Sequence, residues 1–425
     1  MPTRTGPFRG GFDVGGTLYG AWTDEVYTVN QSGEVTYFST LAGSDMIFIG
    51  KNTKSPNPDI AVVTDAGATI INTTAGAVQA YPDGDVGSPT CVTGYLGFLW
   101  WGFSDGTMLV SDFNSTNINT LNQAKTITND DGITHIFGFQ GMIYACGKNS
   151  LEVWGEPVNP TGFPLTRVGY NITPGLFGKF AIAGYEEEWG QPPIYVGSDG
   201  TVRILQGYQA VKISNTDVED DLRAVDFLDR DNVDCLVYNC GGNAFWQVNL
   251  PGKSWVFHAN ENTWHERRTQ DQTKSLLRKS VYFADRWLVG KTDTTALLRM
   301  TFDSQKEDDN EINCVIESGP MKQFPYGQRI VRADFDVTVG VGEALSTEEN
   351  AVDPQMLIEV SHDGGHTWPH SWNRKVGKQG IYIQKVFVNS PGITRDEGAR
   401  WRVSFADPVH FGLQGGDMAV NPLSK

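Results

Sequence analysis

Three histidines spaced four residues apart are the first candidates for chemistry in this sequence. His362, His366 and His370 would lie on one face of a helix, where imidazole nitrogens are suitable ligands for Zn²⁺. Two glycines and Pro369 fall within the same stretch, and proline in a helix interior removes a hydrogen bond and clashes with the preceding turn. We therefore expect a solvated turn here and no metal site.

An acidic cluster is the second candidate for metal binding. Its members are Asp226, Asp229, Asp231 and Asp234. A calcium-binding loop needs a glycine at its sharp turn and a terminal glutamate that binds through both oxygens, and the cluster lacks both. We interpret it as the solvated end of a strand.

Residues 361–368 form the third candidate. Ser361, Asp363, Gly365, Thr367 and Trp368 match Ser-x-Asp-x-Gly-x-Thr-Trp, the Asp-box of sialidase-like propellers. In such a turn the aspartate accepts backbone hydrogen bonds, the glycine takes a left-handed conformation and the tryptophan packs beneath the hairpin. We interpret the five residues as a structural turn. A single copy, with no tyrosine nucleophile and acidic partner to accompany it, disfavours glycoside hydrolysis.

The sequence lacks the short motifs of the common catalytic and cofactor sites. It has no Gly-x-Ser-x-Gly elbow, no His-Glu-x-x-His pair, no phosphate-cradling loop and no dinucleotide fingerprint. We therefore predict no catalytic, cofactor-binding or metal-binding residues, and a protein that is not an enzyme.

A recurring hairpin signature organises the first 300 residues. Each copy places a Gly, Asp or Asn tip between two apolar strands, and those residues tolerate the positive φ of tight hairpin turns. The copies span residues 29–35, 63–67, 102–108, 146–151, 196–202, 238–244 and 289–293. Their spacing of roughly 35 to 50 residues is typical of β-propeller blades. We predict an all-β protein with a propeller of six or seven blades, and we favour six.

The sequence also predicts where eight tryptophans lie in the propeller and where one short helix occurs. We expect most of the following tryptophans to form core layers between blades, with one or two at an interface: Trp100, Trp101, Trp154, Trp189, Trp246, Trp255, Trp264 and Trp287. Residues 216–225 predict a helix, with Thr216 and Glu219 at capping-box spacing.

The domain boundaries follow from changes in patterning. Residues 1–20 are rich in glycine and predict an N-terminal arm that wraps a neighbour or supplies a strand that closes the ring. Residues 21–302 predict the propeller, and the polar run 303–311 a linker or exposed loop. Residues 303–425 predict a β-sandwich or platform domain, with alternating strands at 312–318, 329–341, 356–360, 381–388 and 401–405.

Composition limits the function classes. A formal charge of −17 argues against a protein that grips the phosphate backbone of nucleic acid. The same charge is also a common means of solubility. Five cysteines without a CxxC pair are typical of a reducing cytosol. The N-terminal residues lack the apolar region of a signal peptide, and no segment has the length of a membrane span, so we expect no membrane insertion.

Taken in order along the chain, several segments resemble the packaged-DNA stabilisation proteins of short-tailed bacteriophages, also called the tail hub or nozzle. The order of the segments carries the resemblance more than any one motif. They are residues 136–155, Gly184, residues 193–200, 211–216 and 247–255, Trp264, and residues 361–368 and 401–409.

The resemblance implies a structural virion protein of the phage tail, assembled in the host bacterial cytoplasm as a homo-hexamer. Its implied partners are the portal-adaptor protein and tail fibre or spike proteins, and double-stranded DNA would pass through the assembly without tight binding. It implies no cofactor and no active site. In such an assembly, acidic residues that face the DNA passage would repel the phosphates of DNA within a Debye length of about 10 Å. Two alternatives remain: a non-catalytic propeller scaffold, and a carbohydrate-active, sialidase-like propeller.

Overall fold

The chain divides into two compact units. The computed structural model describes residues 6–126, 129, 131–156, 163–395 and 397–423, with only the backbone described at Tyr170. Unit 1 is Met1–Thr301 and unit 2 is Phe302–Lys425. Residues 1–5 of the expected N-terminal arm lie outside the described residues.

Within the described residues, unit 1 contains seven antiparallel sheets that follow one another along the chain. Sheet 1 contains β1 (Phe8–Val14), β2 (Thr17–Trp22), β3 (Glu25–Asn30) and β4 (Val35–Thr40). Sheet 2 contains β5 (Phe48–Lys51), β6 (Ile60–Thr64), β7 (Gly67–Asn72) and β8 (Ala77–Ala80). Sheet 3 contains β9 (Cys91–Tyr95), β10 (Phe98–Gly102), β11 (Thr107–Ser111) and β12 (Ile118–Lys125). Sheet 4 contains β13 (His135–Phe139), β14 (Met142–Cys146), β15 (Leu151–Gly155) and β16 (Thr166–Ile172).

The last three sheets repeat the pattern, and the seventh has three strands. Sheet 5 contains β17 (Ile182–Ala183), β18 (Ile194–Val196), β19 (Val202–Gln206) and β20 (Gln209–Lys212). Sheet 6 contains β21 (Asp234–Cys240), β22 (Asn243–Asn249), β23 (Ser254–His258) and β24 (Thr263–Glu266). Sheet 7 contains β25 (Leu277–Phe283), β26 (Arg286–Lys291) and β27 (Leu297–Arg299).

The all-β propeller is confirmed, and the described residues of unit 1 form seven blades. Each copy of the hairpin signature lies in a different sheet, from the β3–β4 turn in sheet 1 to the β26–β27 turn in sheet 7. The preference for six blades was wrong. Residues 8–40 form a complete four-stranded blade, so the described part of the expected arm belongs to the ring, where residues 8–14 and 17–22 supply β1 and β2.

Side-chain packing closes the ring. The first strands contact one another from β1 through β5, β9 and β13, and β17 contacts β21, which in turn contacts β25. Between sheets 4 and 5 one apolar cluster contains Phe137, Leu151 and Ile182. The ring is completed between sheets 7 and 1, where Phe8 and Trp22 share a cluster with Phe283. Burying one such aromatic side chain contributes about 1.5–3 kcal/mol relative to exposing it.

The tryptophans pack as core residues. Trp100, Trp101 and Trp154 belong to a cluster that spans sheets 2 to 4, and the others belong to a cluster that spans sheets 5 to 7. Seven of the eight are buried, and Trp264 is half-buried against Trp246. None of the eight is exposed, so the interface tryptophan expected from the sequence is not apparent in a single copy.

The predicted helix is present with a different cap. Helix α1 spans Thr216–Arg223, and its N-cap is Asn215, whose side chain accepts a hydrogen bond from the Val218 N–H at 3.0 Å. Glu219 instead accepts hydrogen bonds from Lys212 and Ser214, each at 2.8 Å. The capping-box interpretation of Thr216 and Glu219 was therefore wrong by one residue. Two 3₁₀ turns, Gly84–Val86 and Phe227–Asn232, complete the helical structure described in unit 1.

The described residues of unit 2 form one two-stranded hairpin and two larger sheets that share an apolar core. The unit begins with the small hairpin, β28 (Lys306–Glu307) and β29 (Asn310–Glu311), where the sequence predicted a linker or loop. Sheet 8 has the order β30-β35-β32-β33, and sheet 9 has the order β34-β31-β36. Their strands are β30 (Cys314–Glu317), β31 (Gln328–Val337), β32 (Gln355–Ser361), β33 (His370–Lys375), β34 (Val386–Thr394), β35 (Arg400–Phe405) and β36 (Leu413–Pro422). A short helix α2 spans Glu349–Val352.

The core of unit 2 lies between these sheets. Ile358 and Val403 of sheet 8 share one apolar cluster with Ile330 and Val388 of sheet 9. The sequence missed β33 and β36, and it extended the strand at 381–388 over residues 381–385, which the structure leaves outside any strand.

Candidate functional site at the propeller axis

A cavity of about 320 Å³ lies within unit 1 beside the first strands of sheets 1, 2, 3, 4 and 7. Volumes of this size are typical of small-molecule pockets. Its walls include backbone and side chains from β1, β5, β9, β13 and β25, together with residues 185–187 that follow β17. Strands β5 and β9 approach so closely that a Cβ on Gly94 would lie 1.9 Å from the Lys51 carbonyl oxygen, so only glycine fits at this position.

Charges of both signs line this cavity. They are the carboxylates of Asp13, Glu186 and Glu187 and the ammonium groups of Lys51 and Lys279. Lys51 Nζ donates to the Asp13 carbonyl oxygen at 3.1 Å and lies 3.7 Å from the Glu187 carboxylate. Because the two signs nearly balance, the axis presents no strong net field to a polyanion.

Burial at this cavity shifts the pKa values of Glu186 and Lys279 in opposite directions. Burial raises the pKa of Glu186, whose carboxylate accepts a hydrogen bond from the Gly184 N–H at 2.5 Å. Burial lowers the pKa of Lys279, and the nearby carboxylates of Glu186 and Asp234 oppose that shift. Lys279 lies at a β-bulge of β25 with a φ of 49°, which aims its side chain away from the regular ladder.

Asp234 is buried, which corrects the expectation of a solvated acidic cluster. It is 7% exposed and accepts a hydrogen bond from Asn249 Nδ2 at 3.1 Å. Burial raises the pKa of its carboxyl group, while Arg278 and the Asn249 hydrogen bond oppose the shift.

The other three aspartates of the cluster have local structural roles. Asp226 caps the 3₁₀ turn through the Leu228 N–H, Asp229 accepts from Asn232, and Asp231 accepts from the Lys179 N–H.

The predicted structural turn lies in unit 2, between β32 and β33. Asp363 accepts hydrogen bonds from the Thr367 N–H at 2.9 Å, the Thr367 hydroxyl at 2.6 Å and the Ser361 hydroxyl at 2.7 Å. These bonds, those from Thr367 foremost, hold the pKa of Asp363 well below its usual range. Gly365 has a φ of 101°, and its N–H donates to the Ser361 hydroxyl at 2.8 Å. Trp368 packs against the Arg402 guanidinium at 4.0 Å.

The three spaced histidines do not converge on a common point. His362 is half-buried, with its Nε2 3.1 Å from the Pro391 carbonyl oxygen, and its ring lies 6.2 Å from that of His370. His366 is exposed. Among the described residues, no group of three or more His, Cys, Asp or Glu side chains could hold a metal ion.

Sequence reasoning missed Glu186 and Lys279. Neither belongs to a motif, and only the closure of the ring brings residues after β17 next to β25. A bulge that aims Lys279 inward has no signature in the sequence, so no local signal could have found this pair. In the part of the chain that the structure describes, no helix is long and apolar enough to cross a membrane.

Comparison with known proteins identifies the propeller. The family model Phage_stabilise, described as bacteriophage P22 Gp10, beta-propeller, matches residues 2–305. No curated protein sequence matches this chain.

Two solved structures are among those that match this chain. PorZ, a bacterial surface component of the type-IX secretion system of Porphyromonas gingivalis, is 10% identical with a TM-score of 0.42; the match covers 78% of this chain and 44% of PorZ. This chain thus spans less than half the length of PorZ. The WD40 β-propeller domain of Doa1 is 9% identical with a TM-score of 0.44, over 70% of this chain and 93% of that domain.

Proposed function

This chain belongs to the phage DNA-stabilisation family represented by the P22 Gp10 β-propeller, and from that premise we propose that it is the nozzle, or hub, of a short phage tail. Several copies, six by the resemblance, would form a ring below the portal-adaptor. The ring would close the capsid after packaging, hold the DNA inside, attach tail fibres or spikes and conduct DNA on ejection. Assembly would take place in the cytoplasm of the bacterial host.

The observation that carries this proposal is the family match over residues 2–305, which spans all seven sheets of unit 1. Two features of the described residues also agree with a structural role. The turn at Ser361 and Asp363 is held by its own hydrogen bonds, and the cavity at the axis holds charges of both signs.

The size of the axial cavity supports a DNA route between copies and not through a propeller. A cavity of about 320 Å³ cannot hold a duplex, whose major groove alone is about 12 Å wide. A passage for DNA therefore requires several copies around a common axis.

The charge of the chain supports passage without adhesion. Each copy carries a formal charge of −17, so a ring of copies would concentrate negative charge around the passage. Carboxylates facing that passage in excess would repel phosphates across about 10 Å at moderate salt and leave the duplex free to slide.

A nonsense mutation in the phage gene tests the proposal. Quantitative mass spectrometry of purified wild-type virions should find a fixed number of copies of the protein. Electron microscopy of the tail should show these copies in six-fold rings. Particles made without it should package DNA and then lose it, measured as nuclease-sensitive DNA, and a suppressor host should restore retention. Virions that lack the protein, or mutant particles that retain DNA normally, would contradict the proposal and favour a free interaction scaffold.

A further inference from the structure

Unit 2 has an open apolar slot on one side of its two sheets. Strand β30 is the edge of sheet 8, and β36 is the edge of sheet 9. Between these edges lies a cavity of about 160 Å³ lined mainly by apolar side chains. They include Ile316, Met321, Phe335, Trp401, Leu413 and Met418. A dry apolar cavity of about 150 Å³ accepts a molecule the size of benzene, so this slot has room for one large side chain.

Among the described residues, no strand pairs with the outer edge of β30 beside the slot. All four residues of β30 are exposed, including Val315 and Ile316, and the strand pairs with β35 on one side. Natural sheets usually protect such an edge, because its unpaired N–H and C=O groups bind other extended chains. The exposed apolar edge and the adjoining slot together form what we call the acceptor surface.

A second apolar feature protrudes elsewhere on the same unit. Residues 376–385 connect β33 of sheet 8 to β34 of sheet 9. Within this connection Ile381, Tyr382 and Ile383 are all exposed, and Ile383 is 92% exposed. We call residues 376–385 the donor segment. Isoleucine and tyrosine favour extended backbone, so the segment is suited to lie along a strand edge.

The donor segment and the acceptor surface belong to opposite edges of the sandwich. Strand β33 is the edge of sheet 8 away from β30, and β34 is the edge of sheet 9 away from β36. Arg374 Nε bridges these two edges by donating to the Phe387 carbonyl oxygen at 2.8 Å. A copy therefore cannot fill its own slot. When each copy uses two different surfaces, the same contact can repeat from one copy to the next. Such a series closes into a ring when the rotation between neighbouring copies divides a full turn evenly.

Charge matches the two surfaces. The acceptor surface carries the carboxylates of Glu317, Asp334 and Asp417, and no described lysine or arginine lines the slot. The donor segment carries Lys378 and Lys385 and no acidic residue, in a chain whose overall charge is −17, and Lys378 also lies 3.8 Å from Asp353 of its own copy. Opposite charges favour this pairing and disfavour contact between two donor segments or two acceptor surfaces.

From these observations we infer that the occupant of the slot is the donor segment of a second copy, with Ile383 inserted between β30 and β36. The inference rests on the proposed ring of copies and assigns to unit 2 a contact that holds neighbours together. The chain then presents one donor and one acceptor, and each copy uses both.

Complementary variants test this contact in the full-length protein. Ile383→Asp removes the donor, and Ile316→Asp removes the acceptor; Met321→Glu is a second acceptor variant in case Ile316→Asp fails to fold. Leu345→Asp is the matched control, because Leu345 is a 99% exposed apolar residue of the same unit outside both surfaces. Masses are measured by multi-angle light scattering at low salt, and folding by circular dichroism.

We expect assemblies larger than dimers for the wild type and for Leu345→Asp, and monomers for each donor or acceptor variant. A mixture of Ile383→Asp with an acceptor variant should form dimers and nothing larger, because the pair retains one working contact. Assemblies that persist in Ile383→Asp would overturn the inference. So would a wild type that stays monomeric at concentrations on the order of 0.1 mM. The presence of the protein in virions tests the proposed function separately, and a virion protein whose Ile383→Asp variant still assembles would refute this contact alone.

Discussion

The side chain of Phe8 packs directly against the backbone of Gly290, which joins the first blade of the propeller to the last. A Cβ atom added at Gly290 would lie 2.4 Å from the Phe8 Cβ and 2.7 Å from its ring. Phe8 is fully buried there, with its ring centroid 5.1 Å from that of Trp22. Gly290 is therefore glycine because of contact and not because of backbone conformation.

Gly290→Ala should destabilise unit 1 by forcing these two blades apart. Because the nearest atom is a Cβ and cannot rotate away, we expect a cost of about 1–3 kcal/mol. The thermal unfolding midpoint should fall by about 2–4 °C for each kcal/mol. Gly252→Ala is the control, since a Cβ there meets nothing within 4 Å. Equal midpoints for the two variants would refute this account of the ring closure.

Arg9 should be irreplaceable by lysine. Its guanidinium is fully buried and donates to the carbonyl oxygens of Thr23 and Asp45, each at 2.6 Å, which ties sheet 1 to the start of sheet 2. Arg9→Met should cost about 3–5 kcal/mol in denaturant unfolding, because buried acceptors lose their donors. Arg9→Lys should recover little, since an ammonium cannot reproduce the planar fork. Arg299→Met, at an exposed position, is the control and should unfold like the wild type. Wild-type stability of Arg9→Lys would contradict the prediction.

His135 should make unit 1 sensitive to acid. Burial lowers its pKa to about 3, and its Nδ1 lies 2.8 Å from the Lys179 carbonyl oxygen. The unfolded chain binds a proton below about pH 6.5 and the native state only below about pH 3, so stability falls as the pH falls between these values. The slope from this group is about 1.4 kcal/mol per pH unit.

Denaturant unfolding from pH 7 to pH 4 measures this slope. His135→Gln should be less stable at pH 7 but should lose less stability on acidification than the wild type. His366→Gln, at an exposed position, serves as the control and should keep the wild-type slope. A slope unchanged in His135→Gln would show that other groups cause the acid sensitivity.

Asp363 should stabilise the β32–β33 turn only while it is ionised. Its pKa is held low by hydrogen bonds from Thr367 and Ser361, so its contribution is present above the unfolded value of about 3.9 and is lost as the pH falls through the lower native value. Asp363→Asn should therefore lower the unfolding midpoint at pH 7. The deficit should shrink below about pH 4. Asp336→Asn, at an exposed position in the same unit, is the control and should leave the unfolding midpoint unchanged at pH 7 and below about pH 4. If the lower midpoint of Asp363→Asn did not depend on pH, the explanation would be contradicted.

Local patterns predicted most of the propeller. The hairpin tips mark one turn in each of sheets 1 to 7, because a tight turn imposes its residue types wherever it occurs. The same rule failed at the start of the chain, where five glycines between residues 10 and 20 obscure the alternation of β1 and β2. Contact explains two of them: a Cβ on Gly11 would lie 2.7 Å from the Tyr19 carbonyl oxygen, and one on Gly20 2.5 Å from the Trp22 ring. Glycine there permits close packing.

The features of the axis could not be predicted from local patterns. Asp234 was expected to be solvated with its acidic neighbours, but it starts an innermost strand, and its burial depends on sheets on either side. Strands β33 and β36 were missed because they are edge strands with many polar and glycine residues, so their pairing depends on their neighbours. Burial of a charge and pairing of an edge strand are properties of the assembled fold.

The ring is closed by side chains that are far apart in the sequence, such as Phe8 and Phe283, and this has a consequence for synthesis on the ribosome. The apolar cluster that contains Phe8, Trp22 and Tyr27 of the first blade is complete only after Val281 and Phe283 have been translated. At a translation rate of about 5–20 residues per second, these aromatic side chains stay without their contacts to the last blade for roughly 10–50 s in the nascent chain. The first blade is thus made first and covered last, so the final step of folding is a docking event between the oldest and the newest part of the propeller.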